Sequence, residues 1–380
     1  MIISAANALK SAYDAKPTPA IFAGPDGFVD EIIKVVETRH SVDSYTPIRT
    51  IADYARRLAG AAGKSTNVEF VVEQVKSGGN GPLMCEAMGA LGARVDYVGA
   101  IGWPGVHPLF ERLASFGRAI PVAPPALTLA AEFEDGKIMH GKHESLRQLT
   151  WPNLVERMGG IPALDETLAA AQVVALVNWT MVPFLNDIFR GVHERVVALG
   201  DRAPLLYFFD LCDPEKRTAA DLREALHLIG SFTGPRRSVI LGLNEKESLE
   251  VCAALGLEPG GAEKPDLVRR AQAIAGAMGA GEVVIHPIRC AAAWTAGNEG
   301  FADGAWCAAP KLTTGAGDHF NGGYVFARAL GLRPAQAIII GKCVSGFYVR
   351  NARGPSVAEV VAFATAWEAG TLDGEAISTS

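Results

Sequence analysis

From about residue 173 onward, short apolar runs alternate with stretches of helical periodicity. Residues 173–177, 205–210, 239–243 and 282–286 read as strands: each is a compact apolar run bounded by polar or turn residues. Between them, residues 183–199, 219–229 and 265–278 repeat apolar positions every three or four residues, the last opening on a proline suited to a first helical turn. Regular strand–helix alternation predicts an α/β fold with a mostly parallel central sheet covered on both faces. Ligands in such sheets sit beyond the carboxyl ends of the strands. Asp210, Asp213, Asn244 and Glu247 all fall at such ends.

The first half is less regular. Residues 1–16 predict a helix closed by Pro17 and Pro19. Residues 20–24 and 95–99 are apolar enough for core strands. Residues 50–62 carry Ile51, Tyr54, Ala55 and Leu58 on one helical face, and 83–91 predict a helix ended by Gly92. Residues 127–133 and 137–142 flank Glu134-Asp135-Gly136, a hairpin signal. With the strand-like stretches 31–39 and 68–77 they predict a small second sheet.

The stretch from Lys311 to Gly331, KLTTGAGDHFNGGYVFARALG, carries the clearest chemistry. Thr313 and Thr314 lead into Gly315, Ala316 and Gly317, then Asp318, and a helical pattern follows from His319. A small-residue turn at a helix start leaves backbone N–H groups unpaired at the positive end of the dipole, a place for a phosphate. A carboxylate at the same turn adds a base beside an anion cradle, which phosphoryl transfer to an alcohol requires. The plainer reading is that Asp318 only caps the helix. Gly78-Gly79-Asn80 opens the helix at 83 and offers an amide that both donates to and accepts from hydroxyls. Gly60 to Thr66 imitates a phosphate-binding loop, but Leu58 stands where its first glycine belongs, and the strand follows rather than precedes. A dinucleotide fingerprint fails at Phe320. His140, His143 and Glu144 straddle a hairpin arm without a fourth ligand and do not make a metal site.

TTGAGDHFNGGYV resembles the C-terminal signature of the ribokinase, or PfkB, family of carbohydrate and nucleoside kinases. Gly78-Gly79-Asn80 with Gly92 and Gly102 resembles its first signature, and Asn244-Glu245-Lys246-Glu247 its Asn-x-x-Glu element. The resemblance implies one domain over residues 1–380, a three-layer α/β/α sandwich. It implies a β-sheet lid inserted from about 29–50, 66–77 and 120–145. It further implies ATP and Mg²⁺, with Asp318 as general base and the amides of Gly315, Ala316 and Gly317 as anion hole. Thr314, Gly315, Gly317 and Asn244 would hold the nucleotide, and Glu247 and Asn244 the metal, through water. Asp30, Gly79 and Asn80 would hold a sugar or nucleoside-like acceptor. Asp26 rivals Asp30, although its Gly-Pro-Asp-Gly setting reads as a turn. Pairing of lids into a homodimer is implied too.

This sequence departs from the family pattern at Leu83, where a second Asn is usual, and at Pro104 and His107. His286-Pro287-Ile288-Arg289 replaces a Thr-x-Gly nucleotide loop, and Leu312 stands where many members have an Asp. These departures leave open a ligand-binding or regulatory protein on the kinase scaffold, or a nucleoside kinase. Composition narrows the field. The 380 residues are 49% hydrophobic and 20% charged, as in globular enzymes, with net charge −6 and no long basic run to hold nucleic acid. The six cysteines are scattered without a Cys-x-x-Cys pair, as expected of free thiols in the cytoplasm. The amino terminus shows neither signal peptide nor membrane span. A polar tail runs from Thr371 to Ser380.

Overall fold

The computed structural model describes residues 1–279 and 281–372, so residues 373–380 of the polar tail lie outside the described residues. In chain order the strands are β1 (Ala20–Gly24), β2 (Phe28–Arg39), β3 (Tyr45–Pro47), β4 (Phe70–Gly78), β5 (Arg94–Gly99), β6 (Gly117–Pro121) and β7 (Ala126–Phe133). They continue with β8 (Gly136–Lys142), β9 (Val173–Leu176), β10 (Leu206–Asp210), β11 (Ser238–Leu243), β12 (Glu282–Ile285), β13 (Cys290–Thr295) and β14 (Asn298–Asp303). The helices are α1 (Ile2–Ala15), α2 (Ile51–Ala59), α3 (Asn80–Ala90), α4 (Trp151–Arg157), α5 (Ile161–Ala170) and α6 (Leu185–Leu199). After these come α7 (Ala219–Ser231), α8 (Glu245–Leu255), α9 (Lys264–Met278), α10 (Ala316–Ala329), α11 (Pro334–Asn351) and α12 (Val357–Glu368).

The large sheet runs β14-β13-β12-β11-β10-β9-β1-β5-β6. From β12 to β6 every pairing is parallel, and β13 and β14 close one edge as an antiparallel hairpin. Successive strand residues feed opposite faces. Val174, Leu176, Tyr207 and Phe209 pack with α6, α7 and α9. Val173, Ala175 and Phe208 pack with α1, α3, α10, α11 and α12. Burial on both faces explains why these strands are continuous apolar runs rather than alternating ones.

In the smaller sheet β2 pairs with β3, β4 and β7, and β8 continues from β7. One face buries Ile33, Val35 and Ala131 against Tyr54 of α2. The register sets Asp30 beside Lys76 and Thr128, and Glu132 beside Lys137, so the opposite face is polar.

Some expectations shift. Strand β4 covers 70–78 rather than 68–77, helix α3 begins at Asn80 rather than 83, and α10 begins at Ala316 rather than His319. Residues 117–121 pair with β5 in the large sheet, where the third stretch of the lid was expected to start at about 120. No helix of the described residues is long and apolar enough to cross a membrane.

Candidate active site

The centre is the turn that opens α10. Gly315 is its N-cap residue at φ 92°, a conformation that strains other L-residues. A side chain there would also collide with Leu83 Cδ1 and Tyr348 Oη, 2.9 and 3.0 Å from the ideal Cβ position. Leu83 thus packs against the turn. Ala316 N–H donates to Thr313 O, while among the described residues the N–H groups of Gly315 and Gly317 have no protein acceptor. Thr313, Ala316, Gly317 and Asp318 line a cavity of about 540 Å³, whereas Thr314 and Gly315 do not line it. Lys137 of the smaller sheet reaches Thr314 Oγ1 at 3.5 Å.

Asp318 is mostly buried. Burial, and then the charge of Asp26, push its pKa well above the carboxylate range; a hydrogen bond with the Asn80 side chain works against them. A base held this way is a better proton acceptor than a surface carboxylate.

Asn80 comes from the turn between β4 and α3, and two aspartates explain the glycines before it. A side chain on Gly78 would strike the Asp30 carboxylate, 2.3 Å away, and Gly79 sits at φ 104° with Asp26 Oδ2 at 2.9 Å. Asp26 lies in the turn between β1 and β2, as its setting suggested, but is 0% exposed. Its Oδ2 accepts from Asn80 N–H at 2.8 Å and Asn178 Nδ2 at 2.7 Å, and its Oδ1 from Gly81 N–H at 2.9 Å. Burial still outweighs these bonds and raises its pKa to about 6. Asp30 is buried on β2, between Thr128 and Lys76, and burial raises its pKa against the pull of Lys76 and Lys137.

Asn244 and Glu247 open α8 as a reciprocal capping box. Asn244 Oδ1 accepts from Glu247 N–H at 2.9 Å, and Glu247 Oε2 accepts from Asn244 N–H at 2.8 Å. Glu247 Oε1 also takes Asp213 N–H at 3.0 Å. The Asn-x-x-Glu spacing therefore has a structural role here, yet both residues line the same cavity as Asp318. Asp210 joins them from the end of β10. Its Oδ2 accepts from Asn321 Nδ2 at 3.1 Å, and its Oδ1 is buried without a partner. Burial, then Glu247, Asp318 and Asp26, raise its pKa. Hard oxygen donors lining one cavity, one of them orphaned, fit a divalent cation such as Mg²⁺.

The far wall is built by the loop after β12 and by α11. His286 packs on Phe320 with ring centroids 4.7 Å apart, its Nε2 is buried without a partner, and burial pushes its pKa down to about 3. Lys342 donates to Pro287 O at 2.7 Å and pins the loop that replaces Thr-x-Gly. Ile288, Ala305, Trp306 and Val349 make this end of the cavity apolar, and Arg289 stacks on Trp306 at 4.0 Å. An apolar end and an amide-lined end suit the base and phosphates of a nucleotide.

Sequence reasoning did not find Asn178, Thr180, Asn321 or Lys342. Asn178 holds φ 62° just past β9, with Nδ2 on Asp26 and Oδ1 unpartnered; Thr180 Oγ1 is likewise buried and unpartnered. A polar residue directly after an apolar strand run was the available signal. Asn321 and Lys342 sit inside the largely buried helices α10 and α11.

Solved structures share this architecture. A Thermotoga maritima ribokinase is 17% identical with TM-score 0.60, over 92% of this chain and all of its own. An Arabidopsis thaliana ribokinase complexed with ribose and ATP is 16% identical with TM-score 0.62, over 92% and 99%. A Cryptococcus neoformans ribokinase in complex with ADP is 20% identical with TM-score 0.60, over 91% and 98%. The fold is that of the ribokinase-like carbohydrate kinases. More narrowly, residues 4–367 match the prokaryotic ketohexokinase family model, and the chain belongs to that family. A ketohexokinase from Haloferax volcanii is 28% identical over 352 residues, 91% of each chain. The protein is a carbohydrate kinase, a phosphotransferase with an alcohol group as acceptor.

Proposed function

We propose that this kinase transfers the γ-phosphoryl group of ATP to a hydroxyl of a ketohexose. One observation carries the reading: Asp318 and the first-turn residues Ala316 and Gly317 line the same cavity as Asp210, Asn244 and Glu247. Asp318 takes the acceptor's proton, and the amides of the turn 315–318 receive the charge on the transferring group. Mg²⁺ would neutralise phosphate charge; Glu247 and Asn244, through water, and Asp210 Oδ1 would hold it. The apolar end by Trp306 and Val349 receives the nucleotide base. Asp30, Gly79 and Asn80 bind the acceptor from the side of the smaller sheet, and the unpartnered Asn178 Oδ1 is a further acceptor for a sugar hydroxyl. The smaller sheet acts as a lid whose polar face shuts out water, so that ATP is not hydrolysed.

ADP release from MgATP, measured across ketohexoses, aldohexoses, pentoses and nucleosides, tests this. The highest kcat/KM should fall on a ketohexose. A nucleoside in that place would favour the nucleoside-kinase reading, and no sugar-stimulated turnover would favour a ligand-binding protein on the same scaffold.

A further inference from the structure

Behind the turn stand two rings that the mechanism above does not use. Tyr348, on α11, donates from its hydroxyl to Thr314 O at 2.8 Å. His319, the residue after Asp318, places Nδ1 2.9 Å from Gly315 O. A carbonyl oxygen only accepts, so Nδ1 carries the proton and the imidazole is the Nδ1–H tautomer. That ring is 1% exposed, and burial pushes its pKa down to about 4, which keeps it neutral. The two rings stack at 3.6 Å between centroids and 20° between planes, so each fixes the other. The stack leaves His319 Nε2 buried with no partner. A desolvated nitrogen of this kind is costly, and packing alone would be served better by Phe.

The two bonded carbonyls belong to consecutive peptide units. In a trans peptide the C=O and N–H point in opposite directions. Anchoring Thr314 O from behind therefore fixes the direction of Gly315 N–H, while Gly315 O, which also takes the helical bond from His319 N–H at 3.0 Å, is anchored a second time and holds Ala316 N–H on Thr313 O. A hydrogen bond to the carbonyl also polarises the amide on its other side, which makes it a stronger donor. We propose that His319 and Tyr348 are positioning residues for phosphoryl transfer: together they clamp the peptide units 314–315 and 315–316. The clamp holds the opening of α10 in the geometry that receives the developing charge. This rests on the reading of the turn as the anion site, and adds to it two side chains that do not touch the phosphate.

Tyr348→Phe and His319→Phe keep the rings and the stack and remove one donor each. Steady-state kinetics with MgATP and the best sugar, normalised to nucleotide-binding sites, give the test. Each variant should lose about three- to tenfold in kcat, the size of one ordinary hydrogen bond expressed as a rate. The KM of both substrates should stay within about twofold, because a contribution made only in the transition state lowers kcat and leaves KM unchanged. Inhibition by ADP, aluminium fluoride and the sugar together should weaken by the same factor as kcat. A packing role alone would lower Tm and leave kcat per site unchanged, and that result would overturn the proposal. So would a rise in KM at constant kcat. Tyr348→Phe deletes a single oxygen and decides the matter even if His319→Phe does not fold. Asp318→Asn, run alongside, separates the two claims. If Asp318→Asn is inactive and both Phe variants are fully active, only the clamp is wrong; if Asp318→Asn is active, the site reading itself fails.

Discussion

Asp318→Asn is the change whose consequences for rate and for stability point in opposite directions. The amide has nearly the carboxylate's shape and can keep a hydrogen bond to the Asn80 side chain, but it cannot accept the acceptor's proton. Loss of a general base costs about 10²–10⁴-fold, or about 3–5 kcal/mol on the barrier. The KM for ATP should hardly change, since the turn amides and the apolar wall remain. Stability should move the other way. Burial and Asp26 raise the folded-state pKa of Asp318, so its favourable contribution is complete below the unfolded value of 3.8 and is lost as pH rises through the folded value. Asn has no charge to bury, so the variant should gain on the wild type as pH rises. Asp26 gives the scale for one carboxylate in this cluster. Raised from 3.8 to about 6, it costs about 3 kcal/mol at neutral pH, at about 1.4 kcal/mol per pH unit. Removing the neighbouring charge should relieve part of that as well. The assays are coupled ADP release, and chemical denaturation of the ligand-free protein at pH 4 and pH 8. More than about a tenth of wild-type kcat would remove Asp318 from the base role. A stability difference no larger at pH 8 than at pH 4 would refute the electrostatic reasoning.

Asp30→Ala should raise the KM for the sugar about tenfold to a hundredfold, the worth of a charged hydrogen bond, with little change for ATP; an equal effect on both substrates would shift the acceptor role to Asp26. Glu247→Gln keeps a cap acceptor but weakens the metal's water shell, and should raise the Mg²⁺ needed for half-maximal activity about 10–100-fold, read from a Mg²⁺ titration. EDTA should abolish transfer, and Mg²⁺ should restore it. Leu312 brings no carboxylate to offset the desolvation of a monovalent ion, so activity should change less than about threefold when K⁺ replaces a large organic cation at constant ionic strength.

The parallel sheet was legible because burial on both faces leaves strands such as Val173–Leu176 with no polar residue to confuse the pattern. The turn that opens α10 was legible because the small residues Gly315, Ala316 and Gly317 precede a helical pattern. The hairpin of β13 and β14 was not predicted: Ala291, Ala292 and Ala293 are fully buried but carry little strand preference. The start of α3 was placed three residues late because Gly79 and Asn80 read as loop, and only Asp26 explains why the chain turns there. Asn244 and Glu247 were expected as metal ligands from the resemblance to the family's Asn-x-x-Glu element, and the same spacing is what a capping box requires. Asn178, Lys342 and the His319–Tyr348 stack depend on contacts between residues far apart in the chain, which periodicity does not encode.

A crystal structure with a non-hydrolysable ATP analogue, Mg²⁺ and the preferred ketohexose tests the central claim most directly. The sugar hydroxyl that becomes phosphorylated should lie about 2.6–3.2 Å from an Asp318 carboxylate oxygen, with the γ-phosphate on the amides that open α10. A sugar bound with no hydroxyl near Asp318, or a γ-phosphate away from that turn, would contradict the account.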